Sequence, residues 1–176
     1  MDCRAPTPDR PILLVGLPGA GKSTLAPLLA KALGLPARDS DALIEQAMGR
    51  SIAEIFAGEG ESRFRAEERR VLERLLSGPA AVIAAGGGAL LDPGLREAAQ
   101  ARATTIWLDA DLDTLAARLG DARGRPLLVG DIRARLTALK RTRDPIYATA
   151  PIRVDAGLVP EAVVTAILDA LAEPVP

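Results

Sequence analysis

Eight residues, Gly16-Leu-Pro-Gly-Ala-Gly-Lys22-Ser23, constrain this chain more than any others. They fit G-x-x-x-x-G-K-[ST] and are followed by Thr24. Ahead of them stands Ile12-Leu-Leu-Val15, a short apolar run of the kind that forms a fully buried strand. Behind them, residues 22–33 predict a helix with Leu25, Leu28, Leu29 and Ala32 on one face, a mild kink at Pro27 and a close at Gly34. Strand, glycine-rich turn and helix in that order make a cradle. The glycines let successive backbone N–H groups point inward, and the helix N-terminus adds partial positive charge. Such a cradle holds a chain of phosphates, with Gly19, Ala20, Gly21, Lys22, Ser23 and Thr24 as its predicted contacts. Lys22 is one of only three lysines beside 19 arginines. Its compact ammonium reaches between β- and γ-phosphates, and the Ser23 hydroxyl is placed to ligate Mg²⁺.

The rest of the chain alternates in the same manner. Further strands are predicted at 80–85, 104–108 and 152–154, with a short extended piece at 36–39. Helices are predicted at 41–48, 51–56, 61–76, 93–101, 112–119, 132–143 and 160–171, the last with Pro160 at its first position. This is an α/β pattern: a parallel sheet covered on both faces. With no repeat and no dividing linker, 1–176 reads as one domain, its first ten residues a flexible lead-in.

Absences narrow the chemistry. The chain has no histidine, so imidazole general bases and His-bound zinc are excluded. A single cysteine, Cys3, forms no internal disulfide, and a reducing compartment, the cytoplasm, is the expectation. A net charge of −1 and 2% aromatics give no footprint for nucleic acid, and no apolar run approaches a membrane span. Asparagine is missing altogether, so the Asn-Lys-x-Asp motif that reads guanine in small GTPases is missing too. What remains is a small kinase that moves a γ-phosphoryl group to a metabolite. Such an enzyme needs an acceptor-binding carboxylate, arginines and a water-excluding lid.

Those parts can be placed. Asp39-Ser-Asp41 follows the second strand, where ligands collect in parallel sheets. On an extended segment its two carboxylates point the same way, one toward a metal-bound water and the other toward an acceptor hydroxyl; alternatively Asp41 caps the next helix. Arg65 has Glu68 at i+3, the spacing of an ordinary surface ion pair. Gly86-Gly87-Gly88 follows a buried strand, as a tight turn or as a close approach to ligand. Asp109, ending the 104–108 strand, is a second metal-facing candidate or a helix cap. Residues 120–131 have glycines at 120, 124 and 130 and arginines at 123 and 125, as a mobile lid would.

Taken together, these segments closely resemble shikimate kinase from Ile12 to about Leu171. The resemblance is carried by the phosphate loop, Asp39-Ser-Asp41, Gly49-Arg-Ser-Ile-Ala-Glu-Ile-Phe56, Phe64-Arg65-Ala-Glu-Glu68, Gly86-Gly87-Gly88, Arg125-Pro-Leu-Leu128 and Arg143-Asp-Pro-Ile-Tyr147. It implies a P-loop sandwich with a five-stranded parallel sheet, a substrate-binding region at 41–76 and a lid at 119–131. The implied reaction is ATP-dependent, Mg²⁺-assisted phosphorylation of the shikimate 3-hydroxyl by a cytoplasmic monomer. A gluconate-kinase-like enzyme is the alternative. The resemblance also implies roles. Asp41 would bind the acceptor hydroxyls and serve as general base. Arg65 and Arg143 would grip the shikimate carboxylate, with backbone contacts from Gly87 and Gly88. Lys22 and the lid's Arg125 would meet ATP, and Asp39 would hold Mg²⁺ through water beside Ser23. Arg118 and the loop before Pro160 would flank adenine. Where some members have an arginine in that loop, this chain has Ala156-Gly-Leu-Val159.

Overall fold

Ile12–Val15 forms strand β1, and none of its four side chains is more than 2% exposed. Alternate side chains of a strand point to opposite faces, so a strand buried throughout is covered on both. In a computed structural model that describes residues 8–120 and 131–173, β1 is the centre of a five-stranded parallel sheet. Its companions are β2 (Ala37–Asp39), β3 (Val82–Ala84), β4 (Thr104–Asp109) and β5 (Ile152–Asp155), in the order β2-β3-β1-β4-β5. β1 is hydrogen-bonded to β3 on one side and β4 on the other. The chain leaves β1 toward the β2 edge and leaves β3 toward the β4 edge. That divergence opens a crevice at the carboxyl ends of β1 and β3, where ligands bind in such sheets.

The helices are α1 (Lys22–Leu33), α2 (Ser40–Met48), α3 (Ile52–Leu76), α4 (Pro93–Arg102), α5 (Leu112–Leu119), α6 (Ile132–Tyr147) and α7 (Pro160–Ala172). α1 buries Leu25, Ala26, Leu29, Ala30 and Leu33, and packs on β2, β3 and α7. The expected face is thereby corrected: Leu28 is 39% exposed and Ala32 is also on the surface, one step round from the stripe that meets the sheet. α2 and α3 pack on each other around a small apolar cluster of Ile44, Ile55, Phe64 and Val71. The expected gap between two helices in this stretch is a break at Gly60 (φ 80, ψ 172) inside α3.

Two local expectations are overturned. Asp39-Ser-Asp41 is not extended throughout. β2 ends at Asp39, whose carboxylate accepts from the N–H groups of Asp41 and Ala42 and starts α2. The helix predicted to end at 143 continues through Pro145 to Tyr147. Pro145 lies on the exposed side, while Arg143 and Tyr147, one turn apart, are both buried. The lead-in residues 1–7 and the lid residues 121–130, with Arg123 and Arg125, lie outside the described residues.

Candidate active site

The loop between β1 and α1 is shaped by contacts that only glycine permits. Gly16 has φ +148, and a Cβ there would lie 2.5 Å from the Leu108 carbonyl oxygen. Lys22 folds back and donates to the carbonyls of Gly16 (2.8 Å) and Leu17 (3.0 Å). Next to it, the Ser23 hydroxyl donates to Asp39 Oδ2 at 2.6 Å, so the start of α1 is tied to the end of β2.

Beside this loop opens a cleft of 880 Å³. Its walls include residues 18–25 of the phosphate loop and α1, Asp39 and Asp41 from the β2–α2 junction, and Arg65 and Glu68 from α3. Gly86, Gly87 and Gly88 follow β3, Arg143 comes from α6, and Arg118 faces the loop 156–160. Thus every described residue to which the resemblance gives a role lines one cleft: Gly19 to Thr24, Asp39, Asp41, Arg65, Gly87, Gly88, Arg118, Arg143 and Pro160. Ile52, Phe56 and Phe64 add an apolar wall, with the two phenyl rings 4.9 Å apart.

The glycine triplet is a turn, closely approached by the protein's own side chains. A Cβ on Gly86 would lie 2.5 Å from Glu68 Oε1 and 2.8 Å from Asp41 Oδ1, and one on Gly88 would lie 2.6 Å from Arg65 Nη1. The triplet thus leaves room for two carboxylates and a guanidinium. The Gly86 N–H donates to the fully buried Ser40 hydroxyl at 3.0 Å.

Arg65 does pair with Glu68, at 2.6 Å, and also with Glu61 at 3.0 Å. The Glu68 pair is not an ordinary surface one. Glu68 is 2% exposed, its Oε1 has no hydrogen-bond partner among the described residues, and burial pushes its carboxyl above the usual range against the pull of Arg65. Arg143, 4% exposed, donates from Nη1 to the Gly87 carbonyl at 2.7 Å. Arg118 donates to the carbonyls of Ala156 (2.7 Å) and Leu158 (3.3 Å), which holds the 156–159 loop against α5 without any arginine of its own.

Asp109 does not line this cleft. It is bound to Lys140 (2.8 Å) and Arg153 (2.6 Å) in a separate depression, and Lys140 also reaches Asp144 at 2.9 Å. Neither expected role for Asp109 holds, since the cap of α5 is Asp111. Sequence reasoning assigned no part to Glu68, Ser40 or Tyr147. Their signals were an i+3 spacing, a place between two aspartates, and a place one turn beyond Arg143.

Comparison with known proteins agrees with this geometry. The family model described as Shikimate kinase matches residues 18–172. A curated relative named Shikimate kinase, from Zymomonas mobilis subsp. mobilis, is 48% identical over 164 residues, covering 92% of this chain and 93% of that one. Among solved structures, Shikimate kinase from Acinetobacter baumannii in complex with shikimate superposes with a TM-score of 0.90 at 34% identity, covering 94% of both chains. A gluconokinase from Sinorhizobium meliloti 1021 reaches a TM-score of 0.63 at 22% identity, over 93% of this chain and 92% of that one, a likeness of fold alone.

Proposed function

This chain belongs to the shikimate kinase family, and from that premise we propose which residues of the cleft do the work. The enzyme transfers the γ-phosphoryl group of ATP to the 3-hydroxyl of shikimate, a step of aromatic amino-acid synthesis. The gluconate-kinase alternative rests on fold likeness only.

The observation that carries the residue assignments is one shared cleft. Lys22 and the start of α1 line it together with Asp41, Arg65 and Arg143. Backbone amides of the phosphate loop and the α1 N-terminus hold the anionic tail of ATP, and Lys22 moves from its loop carbonyls to the β- and γ-phosphates. Arg118 and Pro160 border adenine. Arg125 joins the nucleotide contacts on the strength of the sequence.

Arg65 and Arg143 take the carboxylate of shikimate, planar donors against a planar acceptor. The Glu61 side chain, 57% exposed, swings aside, while buried Glu68 keeps Arg65 aimed. Asp41 receives the 3-hydroxyl. The acceptor oxygen bonds to the γ-phosphorus, the bond from that phosphorus to the β–γ bridging oxygen breaks, and its electron pair leaves with ADP. The hydroxyl proton passes to the Asp41 carboxylate. Alignment and charge neutralisation supply most of the rate, which a chain without histidine can provide.

The Ser23 hydroxyl and Asp39 suit Mg²⁺, as hard oxygen donors 2.6 Å apart beside the phosphate loop. Ser23 would bind it directly and Asp39 through water. When bound, the ion neutralises charge on the transferring phosphates. Among the described residues no group of three His, Cys, Asp or Glu could hold a metal ion. We read the enzyme as a cytoplasmic monomer, in line with the family resemblance and a single cysteine. Among the described residues no helix is long and apolar enough to cross a membrane.

The test is an ADP-release assay with shikimate and gluconate as alternative sole acceptors. Turnover is expected with shikimate only, and preference for gluconate would overturn the reading.

A further inference from the structure

β1 and β3 are neighbours, yet the chain leaves them in opposite directions, so the loops at their carboxyl ends share no backbone ladder. The first is the phosphate loop, beginning at Gly16, and the second is the glycine triplet. Among the described residues, the Tyr147 side chain reaches a carbonyl of each. The Tyr147 hydroxyl donates to the Gly87 carbonyl and lies 3.4 Å from the Gly16 carbonyl. Each of those oxygens also accepts from a cation: Gly16 O from Lys22 (2.8 Å) and Gly87 O from Arg143 (2.7 Å). Tyr147 is 3% exposed, and its ring packs against Trp107 with centroids 6.2 Å apart.

We propose that Tyr147 is a positioning residue, whose hydroxyl fixes the loop that holds the nucleotide against the loop that anchors the acceptor. The proposal rests on the assignments above, with Lys22 on the ATP side and Arg143 on the acceptor side. Without that hydroxyl, the Gly16 carbonyl keeps Lys22 and the Gly87 carbonyl keeps Arg143, each bonded on its own side, so each substrate still binds. What is lost is their mutual register, and in-line transfer is sensitive to displacements on the order of 1 Å. Burial pushes the Tyr147 hydroxyl up to about 12, so it stays a donor throughout the working range.

The experiment compares wild type with Tyr147→Phe, which keeps the ring and removes the donor. Measured are kcat, both KM values, calorimetric Kd for each substrate alone, and the melting curve. The expected result is a fall in kcat of about 10- to 100-fold with each Kd within about threefold of wild type. A kcat within about threefold of wild type overturns the proposal, as does a loss confined to acceptor Kd, or an activity loss that merely tracks the folded fraction. Replacement of Tyr147 by 4-aminophenylalanine restores a donor with two N–H groups and is expected to return kcat to within about threefold. If Tyr147→Phe does not fold, that variant alone decides, and a tenfold fall (about 1.4 kcal/mol) in its kcat overturns the proposal. Wild type turning over no shikimate in the same assay would sink the functional reading itself, a different failure.

Discussion

The Ser23 hydroxyl and the Asp39 carboxylate meet at 2.6 Å, although 16 residues separate them, and Asp39 also caps α2 through Asp41 and Ala42. One carboxylate therefore meets Ser23, its proposed partner in holding Mg²⁺, with Oδ2 and caps the helix with Oδ1. Asn keeps an oxygen for the cap but loses the charge. Asp39→Asn should raise the Mg²⁺ concentration for half-maximal rate about 10- to 100-fold, the usual effect of losing an outer-sphere partner, with little change in melting temperature. Asp39→Ala should add a loss of about 1 kcal/mol from the missing cap. Magnesium titration and thermal melts separate the two effects, and an unchanged magnesium dependence in both variants would remove Asp39 from the metal site.

Arg65 is shared between an exposed carboxylate, Glu61, and a buried one, Glu68. Arg65→Ala should weaken shikimate binding by about 2–4 kcal/mol and leave ATP affinity nearly unchanged. It should also destabilise the fold, because Glu68 is left charged and buried with only more distant positive charge. The double variant Arg65→Ala, Glu68→Gln should regain stability but not shikimate affinity. Recovery of both would mean that Arg65 acts on the fold alone.

Asp41 stands over Gly86, beside the second carboxylate of the cleft. Asp41→Asn keeps the size and removes the base, and kcat should fall by at least about 10², the low end for such a loss. Near-normal turnover would reject the role.

Gly86 separates Asp41 and Glu68 by having no side chain. Gly86→Ala would insert a methyl 2.5 Å from a Glu68 oxygen and 2.8 Å from an Asp41 oxygen; Glu68 is buried, and Asp41 could yield only by moving into the cleft. The expected cost is about 1–3 kcal/mol in stability, as for other overpacked sites, with shikimate KM rising more than ATP KM. Unfolding curves and two-substrate kinetics check both, and equal rises in the two KM values would contradict the placement.

How much of this was legible in the sequence depended on distance along the chain. The phosphate loop was, because strand, glycines, Lys22 and helix are contiguous and each does its part locally. The sheet's parallel character followed from alternation, but its order β2-β3-β1-β4-β5 depends on pairings between segments 45 or more residues apart. Tyr147 was hidden by Pro145. A proline suggests that a helix stops, yet on an exposed face the lost backbone bond is outweighed by burying Arg143 and Tyr147. Glu68 looked like half of a surface ion pair, since i+3 spacing carries no information about what lies above the helix. Only the packing of Gly86 over α3 makes that carboxylate a buried one.

Asp109 offers a test in which stability and activity part company. Burial raises its carboxyl, but hydrogen bonds from Lys140 and Arg153 outweigh this and hold it below the ordinary value. A group whose folded pKa is depressed contributes stability above its unfolded pKa, near 3.9, and loses it as pH falls through the folded value. Asp109→Asn should therefore cost about 1.5–3 kcal/mol at neutral pH, the range for hydrogen bonds to charged groups. The gap between wild type and variant should narrow as pH drops below about 4. Because Asp109 lies outside the cleft, kcat per folded molecule should stay within about twofold of wild type. Denaturant unfolding from neutral to acid pH, with kinetics at neutral pH, reads both quantities. A large fall in kcat at unchanged stability would instead put Asp109 back among the metal-facing acids.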